Sequence, residues 1–272
     1  MRALVTGASG FLGGRLTQIL HGHAEAVTVL VRPKSDLHHL HHLGRLRVVR
    51  GGLTDADALA EAARDATHIF HCAAASTDWA AAETYWESNV AGTASLLKAA
   101  GQLPRLERLV HVSTTDVYGY PKVPCTESGM LQDVGLPYNR TKILAENLVW
   151  RAAEEQGIPV TVLRPATIYG PRGKAFVADI ALLLKKRQMV CIDKGQTRGG
   201  FLYVDNAVEA MLAAACSAAA HGQAYNLTDQ TGTTWKDYVT RLAGGLGYRL
   251  PWINIPFRQA MMLAAAMEAP YR

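Results

Sequence analysis

The sequence predicts an α/β protein, a doubly wound parallel sheet with a small C-terminal lobe assembled from separate pieces. Three observations predict it. Short apolar runs alternate with helical patterns along the chain. The first strand-like run passes directly into a glycine-rich turn and an apolar-periodic helix. Finally, 272 residues with 49% apolar content suffice for one large core, or for one plus a small lobe.

Residues 2–6, RALVT, read as a buried first strand, and the helix that follows runs through about Leu20. Between them Gly7, Gly10 and Gly13 have the spacing G-x-x-G-x-x-G. Each glycine has its own use: a tight turn, close backbone approach to a pyrophosphate, and close helix-to-strand packing. Phosphates belong at the helix N-terminus, where free N–H groups and the dipole favour negative charge. Gly7, Ser9, Gly10, Phe11, Leu12 and Gly13 are therefore candidate dinucleotide-binding residues of a Rossmann-type domain.

The second strand, AVTVLVR, ends at Arg32 and is followed by Pro33, Lys34 and Ser35. A carboxylate at this strand end binds the ribose 2′-hydroxyl of NAD, whereas a cation accommodates the 2′-phosphate of NADP. Arg32 points to NADP, with NAD as the alternative. Further strand-like runs are RLRVVRGG, THIFHCAAA, RLERLVHVST and PVTVLRPATIYG, separated by helical segments at about 55–65, 80–101 and 138–155. In such a sheet ligands bind at the carboxyl ends of the strands. Loops at 73–76, 113–119 and 165–171 are expected to converge there. The Rossmann-type domain is expected over 1–171, completed by about 201–228, and the substrate lobe over 172–200 and 229–272.

Two stretches carry Tyr-x-x-x-Lys. Ten Tyr and nine Lys in the chain make fewer than one chance match the expectation. Tyr118 and Lys122 enclose Gly119 and Pro121, which interrupt a helix. Tyr138 and Lys142 follow Pro137 in a run of good helix formers, where Ile143, Leu144, Leu148, Val149 and Ala152 recur at helical spacing. One turn apart, the ammonium can lie near the phenol.

Other features exclude or narrow. Cys72, Cys125, Cys191 and Cys216 are far apart, the pattern of a reducing compartment without a zinc site. The opening strand leaves no room for a signal peptide, and no apolar run reaches the roughly 18 residues of a membrane span, so a cytoplasmic location is expected. A net charge of +5 is mild and its basic residues are scattered, which suits small anionic molecules better than nucleic acid. His38, His41 and His42 have helical spacing but lack nearby metal-ligating partners apart from Asp36, so no metal is expected. Trp79, Tyr85, Trp86, Tyr169, Phe176 and Tyr203 either line an apolar substrate pocket or pack in the core.

The motifs together resemble the extended short-chain dehydrogenase/reductase family, also described as the NAD-dependent epimerase/dehydratase family. They are TGASGFLG at 6–13, HCAAA at 71–75, NVAGTASLLKAA at 89–100, VSTTDVYG at 112–119, YNRTK at 138–142, LRPATIYGP at 163–171 and FLYVDNAVEAM at 201–211. VLVRPKSDL at 29–37 and the ending FRQAMMLAAAMEAPYR look most like the branch of 3β-hydroxysteroid dehydrogenases and dihydroflavonol reductases.

The resemblance implies a role at each matched position. Tyr138 is the general acid/base, Lys142 holds the nicotinamide ribose and lowers the tyrosine pKa, and Thr114 holds the substrate carbonyl, with Ser113 the second candidate. Ala73, Ala74, Ala75, Asn89, Pro165, Thr167 and Ile168 fall where the family lines the cofactor. The implied activity is reversible hydride transfer between NADP and a ketone or secondary alcohol of an apolar or polycyclic molecule. Moving a phenol from its usual pKa near 10 to neutrality takes roughly 4 kcal/mol of electrostatic help. The alternatives are an NAD-retaining nucleotide-sugar epimerase, dehydratase or decarboxylase, and a non-catalytic NADP sensor. A homodimer through residues 80–100 is a further expectation. The chain departs from the family at Gly51-Gly52-Leu53, where Gly-Asp-Leu is usual, leaving only backbone contacts to adenine at Leu53. It also carries Asp116 near the catalytic hydroxyl, where some decarboxylating and dehydrating relatives use an acid.

Overall fold

Strands apolar on both faces need cover on both sides, and helices supply it here. The computed structural model describes residues 1–76, 80–121, 123–250 and 253–268. The chain runs β1 (Arg2–Thr6), α1 (Phe11–His23), β2 (Ala26–Val31), β3 (Leu46–Arg50), α2 (Ala56–Ala63), β4 (His68–His71), α3 (Ala82–Tyr85), α4 (Gly92–Ala100), β5 (Arg108–Val112), α5 (Pro137–Gln156) and β6 (Val160–Pro165). There follow β7 (Thr167–Tyr169), α6 (Asp179–Lys185), β8 (Val190–Ile192), β9 (Phe201–Tyr203), α7 (Val204–Cys216), β10 (Gln223–Leu227), α8 (Trp235–Leu246), β11 (Ile253–Ile255) and α9 (Phe257–Glu268).

The chain divides into two units, Met1–Ala166 with Val204–Leu227, and Thr167–Tyr203 with Thr228–Arg272. In the larger, seven parallel strands lie in the order β10-β6-β5-β4-β1-β2-β3. Successive strand residues face opposite sides. Val5, Val29, Phe70 and Val110 pack with Leu16 and Leu20 of α1 and Val208 and Met211 of α7. Leu4, Leu30, Ile69 and Leu109 pack with Leu59 of α2, Leu96 and Leu97 of α4 and Val149 and Ala152 of α5. This is the doubly wound sheet of the sequence reading, and the winding reverses between β1 and β4.

The run at 159–170 is two strands rather than one. The Ala166 N–H bonds the Leu227 carbonyl of β10 at 3.0 Å, and the next N–H, of Thr167, bonds Gly200 at 3.2 Å. This change of partner puts the division at Ala166, ahead of residue 171, and groups 201–203 with the smaller unit. That unit holds the parallel pairs β7·β9 and β8·β11. Its centre is aromatic: Phe201 stacks on Tyr238 with ring centroids 4.3 Å apart, and Tyr169 meets Phe201, Tyr203 and Tyr238 edge-on. Tyr169 is thus a packing residue here, while Phe176 keeps a half-open face.

The buried face of α5 differs from the apolar stripe in its sequence. Ile143, Leu144 and Leu148 are only half-buried, while Asn139, Lys142, Glu146 and Val149 are turned inward. Three polar side chains can be buried there because a network satisfies them. Arg164 of β6 forms an ion pair with Glu146, both almost wholly buried. Ser113 donates to Glu146 at 2.6 Å and Trp150 Nε1 at 3.3 Å. Breaking such a pair strands a buried charge and costs about 3–5 kcal/mol. Glu146→Ala should lower unfolding free energy by about that much in urea titration, and Glu146→Leu with Arg164→Met should recover most of it. A single-variant loss below about 1 kcal/mol, the usual worth of an exposed pair, would mean that the pair does not hold α5.

Candidate active site

The site grows from the turn after β1. Gly7 has φ +77°, and a Cβ there would lie 2.7 Å from the Ala73 nitrogen. The loops after β1 and β4 therefore touch at the point where the sheet's winding reverses, the usual place for a ligand. A Cβ on Gly13 would lie 2.4 Å from the Gly7 carbonyl oxygen, so its close packing is against the turn itself. Gly10 is exposed and caps α1 without a side chain, and the half-buried Phe11 and Leu12 begin the helix behind the half-buried Ser9. That open helix start beside a backbone cradle fits a dinucleotide's pyrophosphate.

Around this cradle the remaining candidates divide by what their side chains do. Arg32 is exposed, and its guanidinium has no partner among the described residues. Leu53 packs against Gly92 at the start of α4, where an added Cβ would lie 2.8 Å from the Leu53 Cβ. Its side chain is thus turned to the protein. Ala73, Ala74 and Ala75 form the half-buried loop after β4, with Ala73 N–H on the Thr6 hydroxyl at 3.3 Å. Asn89 is buried in a π-turn over Trp86–Ala91. Its Oδ1 accepts from Ala75 N–H at 2.7 Å, and its Nδ2 donates to the Ala75 carbonyl at 3.2 Å and to the Thr141 hydroxyl at 3.1 Å. Asn89 is a staple between that loop and α5, and its amide does not face outward as a cofactor-lining group would. Pro165 is buried at the end of β6, and the half-buried Thr167 and Ile168 open β7 in the other unit.

At the carboxyl end of β5 the two hydroxyl candidates separate. Ser113 is committed to Glu146, whereas Thr114 accepts from Asp116 N–H at 3.2 Å and its hydroxyl is one of the groups that act on Tyr138. Burial pushes the Tyr138 phenol well above its usual range, the nearby Asp116 carboxylate adds to this, and the Thr114 hydroxyl opposes it. Partial desolvation also raises the Asp116 carboxyl, although the residue keeps an exposed face, and the nearby Thr114 hydroxyl opposes this. Tyr85 lies edge-on to Tyr138 with centroids 6.3 Å apart. Asn139, next in sequence to Tyr138, ties the Asp116 carbonyl at 2.6 Å to Val134 N–H at 3.0 Å.

Lys142 is tied to a backbone carbonyl of β5. Its Nζ donates to the Val112 carbonyl at 2.7 Å. Burial brings it down to about 8, opposed by Glu146 and Cys72. The same burial, with Lys142 adding to it, pushes His71 down to about 3, so its ring is neutral between Thr6 and Thr93 at 2.8 and 2.9 Å. The Cys72 thiol rises to about 12 through burial, which makes it inert. The other Tyr-x-x-x-Lys stretch is structural: Tyr118 is buried, donates to Asn226 at 2.8 Å and accepts from Arg164, while Lys122 and Trp79 lie outside the described residues. His39 Nε2 lies 3.1 Å from the Ala8 carbonyl.

Glu146, Asn139 and Thr141 escaped the sequence reading. An acid one turn beyond Lys142 on the same helix face was the signal for Glu146. The other two carried none.

A doubly wound parallel sheet with a glycine turn where its winding reverses defines the dinucleotide-binding class of α/β protein. The model of the NAD-dependent epimerase/dehydratase family matches residues 3–228, and the chain belongs to that family. It is similar to a 4-hydroxy-2-methyl-3-oxo-4-farnesyl-3,4-dihydroquinoline-1-oxide ketoreductase of Stigmatella aurantiaca, 32% identical over 100% of this chain and 81% of the other. A 3β-hydroxysteroid-dehydrogenase/decarboxylase of Arabidopsis thaliana is 26% identical over 99% of this chain and 66% of its own. Among solved structures, UDP-glucuronic acid 4-epimerase from Bacillus cereus in complex with NAD has a TM-score of 0.83, 25% identity, and covers 94% of this chain and 87% of that one. The chain is thus an NAD(P)-dependent enzyme acting on alcohol or ketone groups.

The two hydroxyls make separable predictions. Thr114→Val should lower kcat about 10²–10³-fold, as removing one oxyanion donor does. Ser113→Ala should leave kcat within a few-fold and instead lower the urea midpoint. A larger kcat loss at Ser113 than at Thr114 would reverse the assignment.

Proposed function

We propose that the chain is an NADP-dependent reductase of a ketone carried by an apolar or polycyclic small molecule. The observation that carries this is the Thr114 hydroxyl, just past the end of β5, close enough to act on the half-buried Tyr138 phenol. Two hydroxyls so placed can converge on one carbonyl oxygen. Arg32, just after β2 and without a side-chain partner among the described residues, suits a 2′-phosphate, and the Stigmatella relative is a reductase of a ring ketone by its name.

Gly7, Gly10 and Gly13 with the start of α1 would hold the pyrophosphate, and Lys142 the nicotinamide ribose. When bound, the nicotinamide supplies the hydride. Thr114 and Tyr138 then stabilise charge on the carbonyl oxygen, and Tyr138 delivers the proton to that oxygen. Burial holds Tyr138 protonated, the form a reductase needs at the start of each turnover. The Lys142 ammonium has three N–H groups, so its bond to the Val112 carbonyl leaves two for the ribose hydroxyls.

One observation favours a second reading. The Asp116 carboxyl stands beside Thr114 and Tyr138 and is raised by burial, as befits an acid in an NAD-retaining nucleotide-sugar epimerase, dehydratase or decarboxylase. The presence of Thr114, Tyr138 and Lys142 together opposes a non-catalytic sensor.

Purified protein should release no tightly held nucleotide on denaturation and should bind NADPH more tightly than NADH. Tyr138→Phe should retain NADPH binding and lose about 10²–10⁴-fold in turnover of a ketone found by screening. Retained NAD would favour the sugar-nucleotide reading, and near-full turnover by Tyr138→Phe would end the catalytic assignment.

A further inference from the structure

We infer that Arg50, the last residue of β3, is the second cation of the 2′-phosphate site and works with Arg32 to select NADP. This rests on the NADP reading above and adds a residue that neither the strand-end pattern nor the family motifs single out.

The geometry begins in the sheet. Val31 of β2 is paired with Arg50 of β3, and the Gly51 N–H continues the ladder to the Val31 carbonyl at 2.9 Å. Just beyond Val31 the chain turns back through Arg32, Pro33, Lys34 and Ser35, closed by Ser35 N–H on the Arg32 carbonyl at 2.9 Å. Proline in the second position suits such a turn. Arg50 Nη1 donates to the Pro33 carbonyl at 2.8 Å. One guanidinium is therefore fixed by a backbone oxygen adjacent to the residue that carries the other.

The charges around these two are one-sided. Arg47, earlier on the same strand, has Glu61 at 3.3 Å, and Arg2 on β1 has Glu25 at 3.0 Å. Among the described residues neither Arg32 nor Arg50 has a carboxylate partner, and the remaining N–H groups of Arg50 have no acceptor. Asp36, the acid of this loop, caps the turn at His38 with a 2.8 Å bond to its N–H. After Arg50 comes Gly51-Gly52, so the acid usual for the family at residue 52 is missing from beside it. Two guanidiniums, one tethered to a carbonyl and neither held by a carboxylate among the described residues, present a fork of donors that matches a phosphate dianion. Tethering Arg50 to Pro33 removes rotamer freedom that binding would otherwise have to remove.

The probes are 2′,5′-ADP and 5′-AMP, which differ only in the 2′-phosphate, titrated by calorimetry into wild type, Arg32→Gln, Arg50→Gln and Arg50→Lys. Wild type should prefer 2′,5′-ADP. Arg50→Gln should weaken 2′,5′-ADP about tenfold or more while changing 5′-AMP less than about twofold, and Arg50→Lys should restore part of the loss. Equal weakening of both probes would reduce Arg50 to support of the adenosine pocket, and an unchanged preference would remove it from the site; either result overturns the inference while wild-type selectivity leaves the NADP reading standing. A wild type that does not distinguish the probes would overturn both.

Discussion

The Glu146 carboxylate organises the catalytic half of this protein. It lies fully buried on α5, where it accepts from Arg164 of β6, Ser113 of the β5 loop and Trp150 of its own helix. A charge in that position is tolerable only when each lone pair has a donor. The three donors come from three elements, so meeting this demand fixes α5 against both strands. Everything chemical on α5 inherits its position from that constraint.

Two consequences follow for the site. Ser113 is bound to Glu146, which leaves Thr114 as the hydroxyl free to act on Tyr138. Lys142, one turn from Glu146 on the same buried face, keeps a nearby carboxylate that opposes the loss of its charge. Asn89 and Asn139 extend the same logic with amides. One holds the loop after β4 to α5 through Thr141, and the other holds the loop after β5 to the start of α5. The loops that would surround a dinucleotide and a carbonyl are thus tied to one helix by buried hydrogen bonds, which gives the site its preorganisation.

The sheet was legible in the sequence because its signals are local. The first strand, the glycine turn and the alternation of strands and helices each follow from a handful of neighbouring residues. Gly7 and Gly13 were also readable, since only a glycine tolerates a φ of +77° beside the Ala73 backbone or a helix start 2.4 Å from a carbonyl. Motif spacing singled out Tyr138 and Thr114 as candidates, and that Ser113 is taken up by Glu146 needed the structure. What misled was the inward face of α5. The apolar periodicity of Ile143, Leu144 and Leu148 pointed to one face, while the face actually buried carries Asn139, Lys142 and Glu146. Periodicity reads hydrophobic burial, and a polar network built from three distant segments leaves no periodic trace. The break after Pro165 was hidden for the same reason, since only the partners of Ala166 and Thr167 reveal it.

The central claim is that Tyr138 is an acid/base whose proton affinity is set by its surroundings: high by burial, and lowered when positive charge from Lys142 and an oxidised nicotinamide would be gathered beside it. The direct measurement is a phenolate absorbance titration of wild type minus Tyr138→Phe, with and without saturating NADP⁺. The account predicts a Tyr138 midpoint above the usual tyrosine value in the free protein and a fall of about 3 or more units with NADP⁺, the size of shift that work near neutrality requires. A midpoint that does not move on adding NADP⁺ would contradict it.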